Sequence, residues 1–105
     1  MPIFTVDIVC RSPEHDYAAL FGLLRGLDAQ NLLETRWLLD VGESVGTLTQ
    51  RLLGLCAPGD GLFVTELAPE TRWSGTGLGD PAKAWFLARM RPVPAQPLPP
   101  ERRPN

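Results

Sequence analysis

The order in which strand-like and helix-like segments follow one another constrains this chain more than any other feature. Residues 2–10 form a nearly continuous apolar and β-branched run, which is typical of a strand with both faces buried. From Tyr17 to about Leu27, apolar side chains recur at helical spacing along one face. Residues 30–33 and 36–41 have the composition of two short strands joined by a tight connection. The first part of the chain is therefore predicted to contain a strand, a helix and a β-hairpin.

A second helix and a fourth strand are predicted after the hairpin. Ser44 is suited to cap the helix, and the apolar residues that follow it form another one-sided stripe. Residues 61–67 then alternate in the manner of a strand. The resulting order β-α-β-β-α-β predicts the α+β class and a ferredoxin-like sandwich, because right-handed crossovers place both helices on one face of a four-stranded antiparallel sheet.

The length of the chain allows one domain. It has 105 residues, of which 44% are hydrophobic, and this suits a single core. We assign residues 1–90 to the ferredoxin-like domain, which we expect to end with a short helix from Pro81 to Met90. Residues 91–105 are rich in proline and poor in apolar side chains, so we predict a disordered tail. Its PxxP spacing suits docking in an aromatic groove, and a solvated tail is the simpler interpretation.

Net charge and targeting patterns exclude several classes of protein. The formal charge of −2 confines any contact with nucleic acid to a local patch. The two cysteines, Cys10 and Cys56, lack metal-binding spacing, and we expect both to be buried free thiols. The sequence shows neither a signal-peptide pattern nor the roughly 20 apolar residues needed to cross a membrane. We therefore expect a cytoplasmic protein without membrane contact.

Two helices on one face leave the other face of the predicted sheet open. Strand alternation places a mixed set of side chains on that open face. The set is too apolar to be stable in water alone, so we expect a second surface to cover it. Its expected members are Thr5, Asp7, Val9, Arg36, Leu38, Asp40, Phe63 and Thr65.

Two carboxylates on this face suggest a metal site. Asp7 and Asp40 lie on strands that are neighbours in this fold, where together they could hold a hard divalent cation through oxygen ligands. In the alternative interpretation Asp7 pairs with Arg36, either across the sheet or across a dimer interface. The sequence leaves both interpretations open.

Three further features carry weaker signals. Phe63 on the open face suits stacking on a nucleotide base, but packing against another subunit is the stronger explanation. His15 lies in a polar loop, where it is either a general acid or base or, more simply, a solvated residue. The glycine-rich residues 75–79 lack the lysine and the strand-to-helix context of a P-loop, so we exclude that route to nucleotide binding.

Several short motifs add a family resemblance over residues 2–87. They are Asp16-Tyr17, Thr35-Arg36-Trp37-Leu38-Leu39, Gly59-Asp60-Gly61-Leu62-Phe63-Val64 and the later Trp73. Together with the order of elements, these motifs resemble the small SinR-like proteins. Those proteins are similar to the CRISPR-associated Cas-two endonuclease.

The resemblance implies a homodimer in which the sheets of two subunits meet and cover the open face. It also implies a metal-dependent phosphodiesterase, in which an aspartate near the end of the first strand supports Mg²⁺-dependent cleavage of RNA or DNA. The closest acid here is Asp7, and Arg36 is available to stabilise charge on a reacting phosphate. Counting back from Asp16, however, places the family's aspartate at Val9 or Cys10.

Two functions follow from these observations. The leading one is a homodimeric Cas-two-like protein with a nucleic-acid-related role, with Asp7 and Arg36 as catalytic residues and Mg²⁺ at Asp7 and Asp40. The alternative is a noncatalytic protein-interaction module, such as an antitoxin-like or defence-associated dimer. A basic groove across the dimer favours the first function, and its absence favours the second. A dimer that binds a small ligand is a third possibility.

Overall fold

The computed structural model describes residues 2–90 of the chain. In chain order its elements are β1 (Ile3–Val9), α1 (Ala18–Gly26), β2 (Gln30–Leu33), β3 (Arg36–Asp40), α2 (Val45–Leu53), β4 (Gly61–Leu67) and α3 (Asp80–Leu87). The predicted succession of strands and helices is confirmed by these elements, and the short closing helix is present as α3. The predicted tail at 91–105 and its PxxP spacing lie outside the described residues.

The four strands form one antiparallel sheet in the order β2-β3-β1-β4. The central strand β1 places Asp7 opposite Arg36 of β3 on one side and opposite Phe63 of β4 on the other. A register shift interrupts the pairing of β2 with β3 between Asn31 and Leu33. The predicted α+β class is confirmed, and the strand order is compatible with a ferredoxin-like fold.

The main core contains side chains from the sheet, α1 and α2. Alternate residues of a strand point to the same face, so three apolar residues of β1 project together into this core. Leucines of α1 and α2 pack above them, and burying each side chain of this size contributes about 1.5–3 kcal/mol. The seven residues, each at most 4% exposed, are Phe4, Val6 and Ile8 of β1, Leu20 and Leu24 of α1, and Leu48 and Leu52 of α2.

Side-chain oxygens satisfy backbone groups where α1 and α2 begin. The Ser44 hydroxyl oxygen accepts a hydrogen bond from the backbone N–H of Thr47 at 3.1 Å, which confirms the predicted cap of α2. Asp16 Oδ1 accepts from the N–H of Ala18 at 2.9 Å, although Tyr17 occupies the cap position of α1. Both contacts satisfy N–H groups that have no partner within their own helix.

The helices of the described part are short. The first two contain 9 residues each, and α3 contains 8. Isolated helices of this length are marginal in water, so packing against the sheet must stabilise them. Within residues 2–90, no helix is long and apolar enough to cross a membrane.

The third helix covers part of the sheet face opposite the main core. Ile3 and Leu38 belong to a second apolar cluster, to which α3 contributes Ala82 and Phe86. Leu38 is 0% exposed in this cluster. The expectation that Leu38 lies on an open face is therefore wrong, because the chain after β4 folds back over the sheet and supplies apolar cover.

Trp73 holds this returning segment in place. Its ring lies against Phe86 of α3, with the two ring centroids 4.5 Å apart. Its Nε1 donates a hydrogen bond to the backbone carbonyl oxygen of Met90 at 3.2 Å, so the partly buried indole has a partner for its polar atom. The segment thus packs over one part of the face and leaves another part uncovered.

Candidate functional site

One row of side chains crosses the part of the sheet face that α3 leaves uncovered. Leu33, Arg36, Asp7 and Phe63 are successive cross-strand partners on β2, β3, β1 and β4. We call these four residues the open row. Phe63 is 65% exposed and Leu33 is 40% exposed. Large apolar side chains exposed together on a sheet face mark a candidate contact surface.

An ion pair occupies the centre of the open row. Arg36 donates from Nε to Asp7 Oδ1 at 2.9 Å and from Nη2 to Asp7 Oδ2 at 3.0 Å. The interpretation in which Asp7 pairs with Arg36 across the sheet is confirmed. This hydrogen bonding raises the pKa of the Arg36 guanidinium, which therefore stays positively charged. A metal ion at Asp7 must compete with a guanidinium that already contacts both carboxylate oxygens.

The second proposed metal ligand lies elsewhere on the sheet. Asp40 is the cross-strand partner of Ile3, four residues along β1 from Asp7. At roughly 3.3 Å per residue, this separates the two acids by about 13 Å. Asp40 instead accepts a hydrogen bond from Arg89 Nε at 2.9 Å. The structure thus does not bring the two carboxylates together, and within residues 2–90 no group of three or more metal-ligating side chains is present.

A cavity of about 410 Å³ lies beside the open row. Its sheet side includes the open row together with Thr5 and Thr65, which are direct partners on β1 and β4. Its other side is formed by residues 71–76, and Trp73 and Phe86 are among the apolar residues that line it. This cavity was not predicted from the sequence, because its existence depends on where the irregular segment after β4 lies over the sheet.

The lining of the cavity is more positive than negative. Among the described residues that line it, the only acid is Asp7 and the bases are Arg36 and Arg72. Because Asp7 is paired with Arg36, its charge is largely compensated. Arg72 is exposed and forms no ion pair with any residue in the range 2–90. The cavity can therefore accept an anionic group, although the chain as a whole carries a charge of −2.

A second polar cluster surrounds Asp60 in the connection between α2 and β4. Asp60 accepts hydrogen bonds from the backbone N–H groups of Arg11 at 2.8 Å and Ala57 at 2.7 Å. It also accepts one from the Tyr17 hydroxyl, which is 2.8 Å from Oδ2. The bond from Arg11, followed by those from Ala57 and Tyr17, lowers the pKa of Asp60. Partial burial and this same contact raise the pKa of Tyr17.

This cluster is structural. Asp60 connects the segment after β1, the start of α1 and the approach to β4, which are far apart in the sequence. The sequence signal for it is the turn around Gly59, whose φ of 89° suits glycine and brings Asp60 into place. The motifs Asp16-Tyr17 and Gly59-Asp60-Gly61, which carry part of the family resemblance, meet here. Within this chain, these motifs therefore serve packing.

The remaining candidate residues also lie at this end of the fold. His15 packs edge-on against Tyr17, with ring centroids 4.6 Å apart, and its Nε2 lies 3.3 Å from the carbonyl oxygen of Leu55. Cys10 is exposed, so the expectation that both thiols are buried is wrong for it, and Cys56 is half-buried. Partial desolvation, then the charge of Asp60, raises the pKa of both thiols. They therefore stay protonated at neutral pH, which disfavours a nucleophilic role.

The chain was compared with protein-family models, with curated proteins and with solved structures, and none of the three comparisons found a match. The likeness to SinR-like and Cas-two-like proteins therefore stays a prediction that rests on the short motifs.

Proposed function

We propose that this protein is a homodimeric, ferredoxin-like and Cas-two-like module that binds nucleic acid without cleaving it. The ferredoxin-like arrangement is supported by the strand order and by the packing of α1 and α2 in one core with alternate residues of β1. The observation that carries the dimer is the open row, which exposes Phe63 and Leu33 on the part of the sheet face that α3 leaves uncovered.

The open row is suited to contact a second copy of itself. A two-fold axis brings the same patch of both copies together, so the patch must be self-complementary. The row has a base and an acid side by side at its centre and an apolar side chain at each end. With the axis parallel to the strands, Arg36 of one copy approaches Asp7 of the other, and Phe63 approaches Leu33. Val9, which is 38% exposed, extends the apolar surface.

We propose that no cleavage occurs because Asp7 and Asp40 are each paired with an arginine and lie far apart. Both oxygens of Asp7 accept hydrogen bonds from Arg36, and Asp40 is paired with Arg89. A nuclease that uses one Mg²⁺ between these carboxylates needs both within reach of the same ion. Their separation of about 13 Å along the strands is several times a metal–oxygen distance.

The nucleic-acid role rests on the family resemblance and on one cationic side chain. Arg72 lines the cavity beside the open row and forms no ion pair within residues 2–90, and arginine side chains of this kind contact the phosphates of nucleic acids. The overall acidity of the chain restricts this contact to the neighbourhood of the open row.

The same acidity favours a second candidate function. A chain with a charge of −2 and a sequence pI of 5.3 has little general attraction for phosphate backbones. A noncatalytic dimer that contacts another protein, as an antitoxin-like or defence-associated module does, needs no such attraction. In that case the dimer remains and binding to nucleic acid is absent.

Sedimentation velocity over a series of protein concentrations tests the dimer. We expect the wild type to dimerise and Phe63→Asp to shift the equilibrium strongly toward monomer, because it places a charge in an apolar contact. Leu53→Asp is the matched control, since Leu53 is 53% exposed on α2, away from the open row. A wild type that is monomeric throughout, or a dimer that Phe63→Asp does not weaken, contradicts the proposal.

Fluorescence anisotropy with labelled single-stranded RNA and duplex DNA tests the nucleic-acid role. We expect salt-dependent binding that weakens in Arg72→Gln and is retained in Arg25→Gln, which removes an exposed arginine of α1. A dimer that binds neither nucleic acid leaves the protein-interaction module as the better function.

A further inference from the structure

The cavity beside the open row has the size of a small-ligand site. Its volume of about 410 Å³ falls within the range of roughly 300–1,000 Å³ that is typical of ligand pockets. Two structural units form it, the sheet on one side and the segment after β4 on the other. Such pockets combine an apolar lining with a few polar groups that orient the ligand.

The apolar part of the lining suits a flat ring. Trp73 and Phe86 lie against each other with centroids 4.5 Å apart, and both contribute to the cavity surface. Leu78 and Leu67 add aliphatic surface. Phe63 also lines the cavity, and in the monomer its 65% exposure leaves ring surface available for stacking.

The polar part of the lining suits an anion. Arg72 is exposed and has no ion-pair partner in residues 2–90, and the one lining acid, Asp7, is paired with Arg36. In the same range, the backbone N–H groups of Ser74 and Gly75 donate to no protein acceptor. An anion in the cavity can therefore contact the Arg72 guanidinium and these N–H groups, since Ser74 and Gly75 also line the cavity, and residues 2–90 place no uncompensated carboxylate there.

Hydroxyl groups also line the cavity. Thr5 and Thr65 are cross-strand partners on the sheet side, and Thr71, Ser74 and Thr76 line the other side. Each hydroxyl can both donate and accept a hydrogen bond, which suits the hydroxyl groups of a sugar.

We propose that this cavity binds a nucleotide monophosphate group, with the base against the aromatic rings and the phosphate at Arg72 and the neighbouring backbone N–H groups. This inference goes beyond the function proposed above, because it requires neither self-association nor a nucleic-acid strand. The site also differs from a P-loop, whose lysine is absent from the glycine-rich segment. Here the phosphate lies at an arginine and at a loop that packs over a sheet. The same chemistry occurs in a free mononucleotide and at the phosphorylated end of a strand.

Isothermal titration calorimetry with adenosine monophosphate, the three other common ribonucleoside monophosphates, adenosine and inorganic phosphate tests this site. We expect saturable binding of at least one monophosphate, and binding of adenosine at least about tenfold weaker than that of its monophosphate, because charge-assisted hydrogen bonds to phosphate are lost. Equal affinity for adenosine and its monophosphate, or no saturable binding of any monophosphate, overturns the proposal.

Variants locate the bound nucleotide. Arg72→Gln should weaken binding of the monophosphate about tenfold, and Arg25→Gln should leave it unchanged. Phe63→Ala should weaken it by a similar factor through loss of stacking. Phe63 also belongs to the open row, so Phe63→Ala tests the cavity and the dimer together. Arg72→Gln tests the cavity alone, and sedimentation velocity shows whether this variant still self-associates. Unchanged binding in Arg72→Gln, in a variant with wild-type circular dichroism, places the nucleotide elsewhere and overturns the proposal.

A short oligonucleotide with and without a 5′-phosphate distinguishes the two sources of the ligand. Binding of the phosphorylated form at least as tight as that of the mononucleotide assigns the cavity to a strand end. Weaker binding of both forms than of the mononucleotide assigns it to a free nucleotide. Either result is compatible with a monomer, so failure of the dimer and failure of the nucleotide site are observed separately.

Discussion

The guanidinium of Arg36 on β3 holds both carboxylate oxygens of Asp7 on β1, at 2.9 and 3.0 Å. The two residues are direct cross-strand partners, so the sheet register itself brings them together. This pairing compensates a carboxylate that the sequence presents as a candidate metal ligand. It also leaves the sheet face with a compact polar centre between two apolar side chains, Phe63 and Leu33.

The first prediction concerns cleavage. Labelled single-stranded RNA and duplex DNA, incubated with Mg²⁺ or Mn²⁺, should remain uncut by the wild type and by Asp7→Ala alike, because Asp7 is paired and Asp40 is distant. Gel electrophoresis of the products is the measurement. Metal-dependent cleavage by the wild type that disappears in a dimeric Asp7→Ala variant would restore Asp7 as a catalytic residue.

The second prediction concerns the strength of the ion pair. A double-mutant cycle with Asp7→Asn and Arg36→Gln, measured by urea unfolding of dilute protein, should give a coupling energy below about 1 kcal/mol. The reason is solvent access, since the two side chains are 23% and 45% exposed. If the cycle is repeated at concentrations where the dimer forms, the coupling should increase, because the partner removes water from the pair. A coupling that does not change with dimerisation argues against the open row as the interface.

The third prediction concerns the cover that α3 provides. Leu38→Ala should lower the free energy of unfolding by about 2–5 kcal/mol, because Leu38 is 0% exposed beneath the returning segment. Leu53→Ala, at a site that is 53% exposed, should change it by no more than about 0.5 kcal/mol. Thermal or urea unfolding followed by circular dichroism provides the comparison. Similar small effects for both variants would mean that α3 does not cover this face in solution.

Local patterns were sufficient to predict most of the elements. Alternating side chains predicted β4 at residues 61–67, and the structure has this strand. One hydroxyl group predicted the cap at Ser44, and the structure has this cap as well. These signals act over a few residues, so they can be recognised without knowledge of the rest of the fold. The same patterns predicted a short helix near the end of the domain.

The position of α3 over the sheet could not be predicted in the same way. Leu38 and Phe86 belong to one apolar cluster although they are far apart in the chain, and the segment between β4 and α3 has no regular period. The cavity has the same origin, as it exists only because this segment lies over the sheet. The Tyr17–Asp60 hydrogen bond likewise spans 43 residues, and composition alone gives no reason to pair them.

The last prediction concerns acid. The pKa of Asp60 is lowered from its ordinary value of 3.8, because the ionised carboxylate accepts hydrogen bonds from Arg11, Ala57 and Tyr17 in the folded state. Its contribution to stability is therefore fully present above pH 3.8 and is lost as the pH falls through the lower folded pKa. Asp60→Asn should destabilise the fold at neutral pH.

The difference in unfolding free energy between the wild type and Asp60→Asn should shrink as the pH falls below 3.8, because protonation removes the charge from the wild-type side chain as well. Urea unfolding of both proteins at a series of pH values measures this. Asp16→Asn is the matched control: that residue directly precedes Tyr17, and within residues 2–90 its carboxylate accepts only the Ala18 N–H, so its effect should be smaller at neutral pH. A difference for Asp60→Asn that stays constant with pH would mean that the ionised carboxylate is not what holds these three segments together.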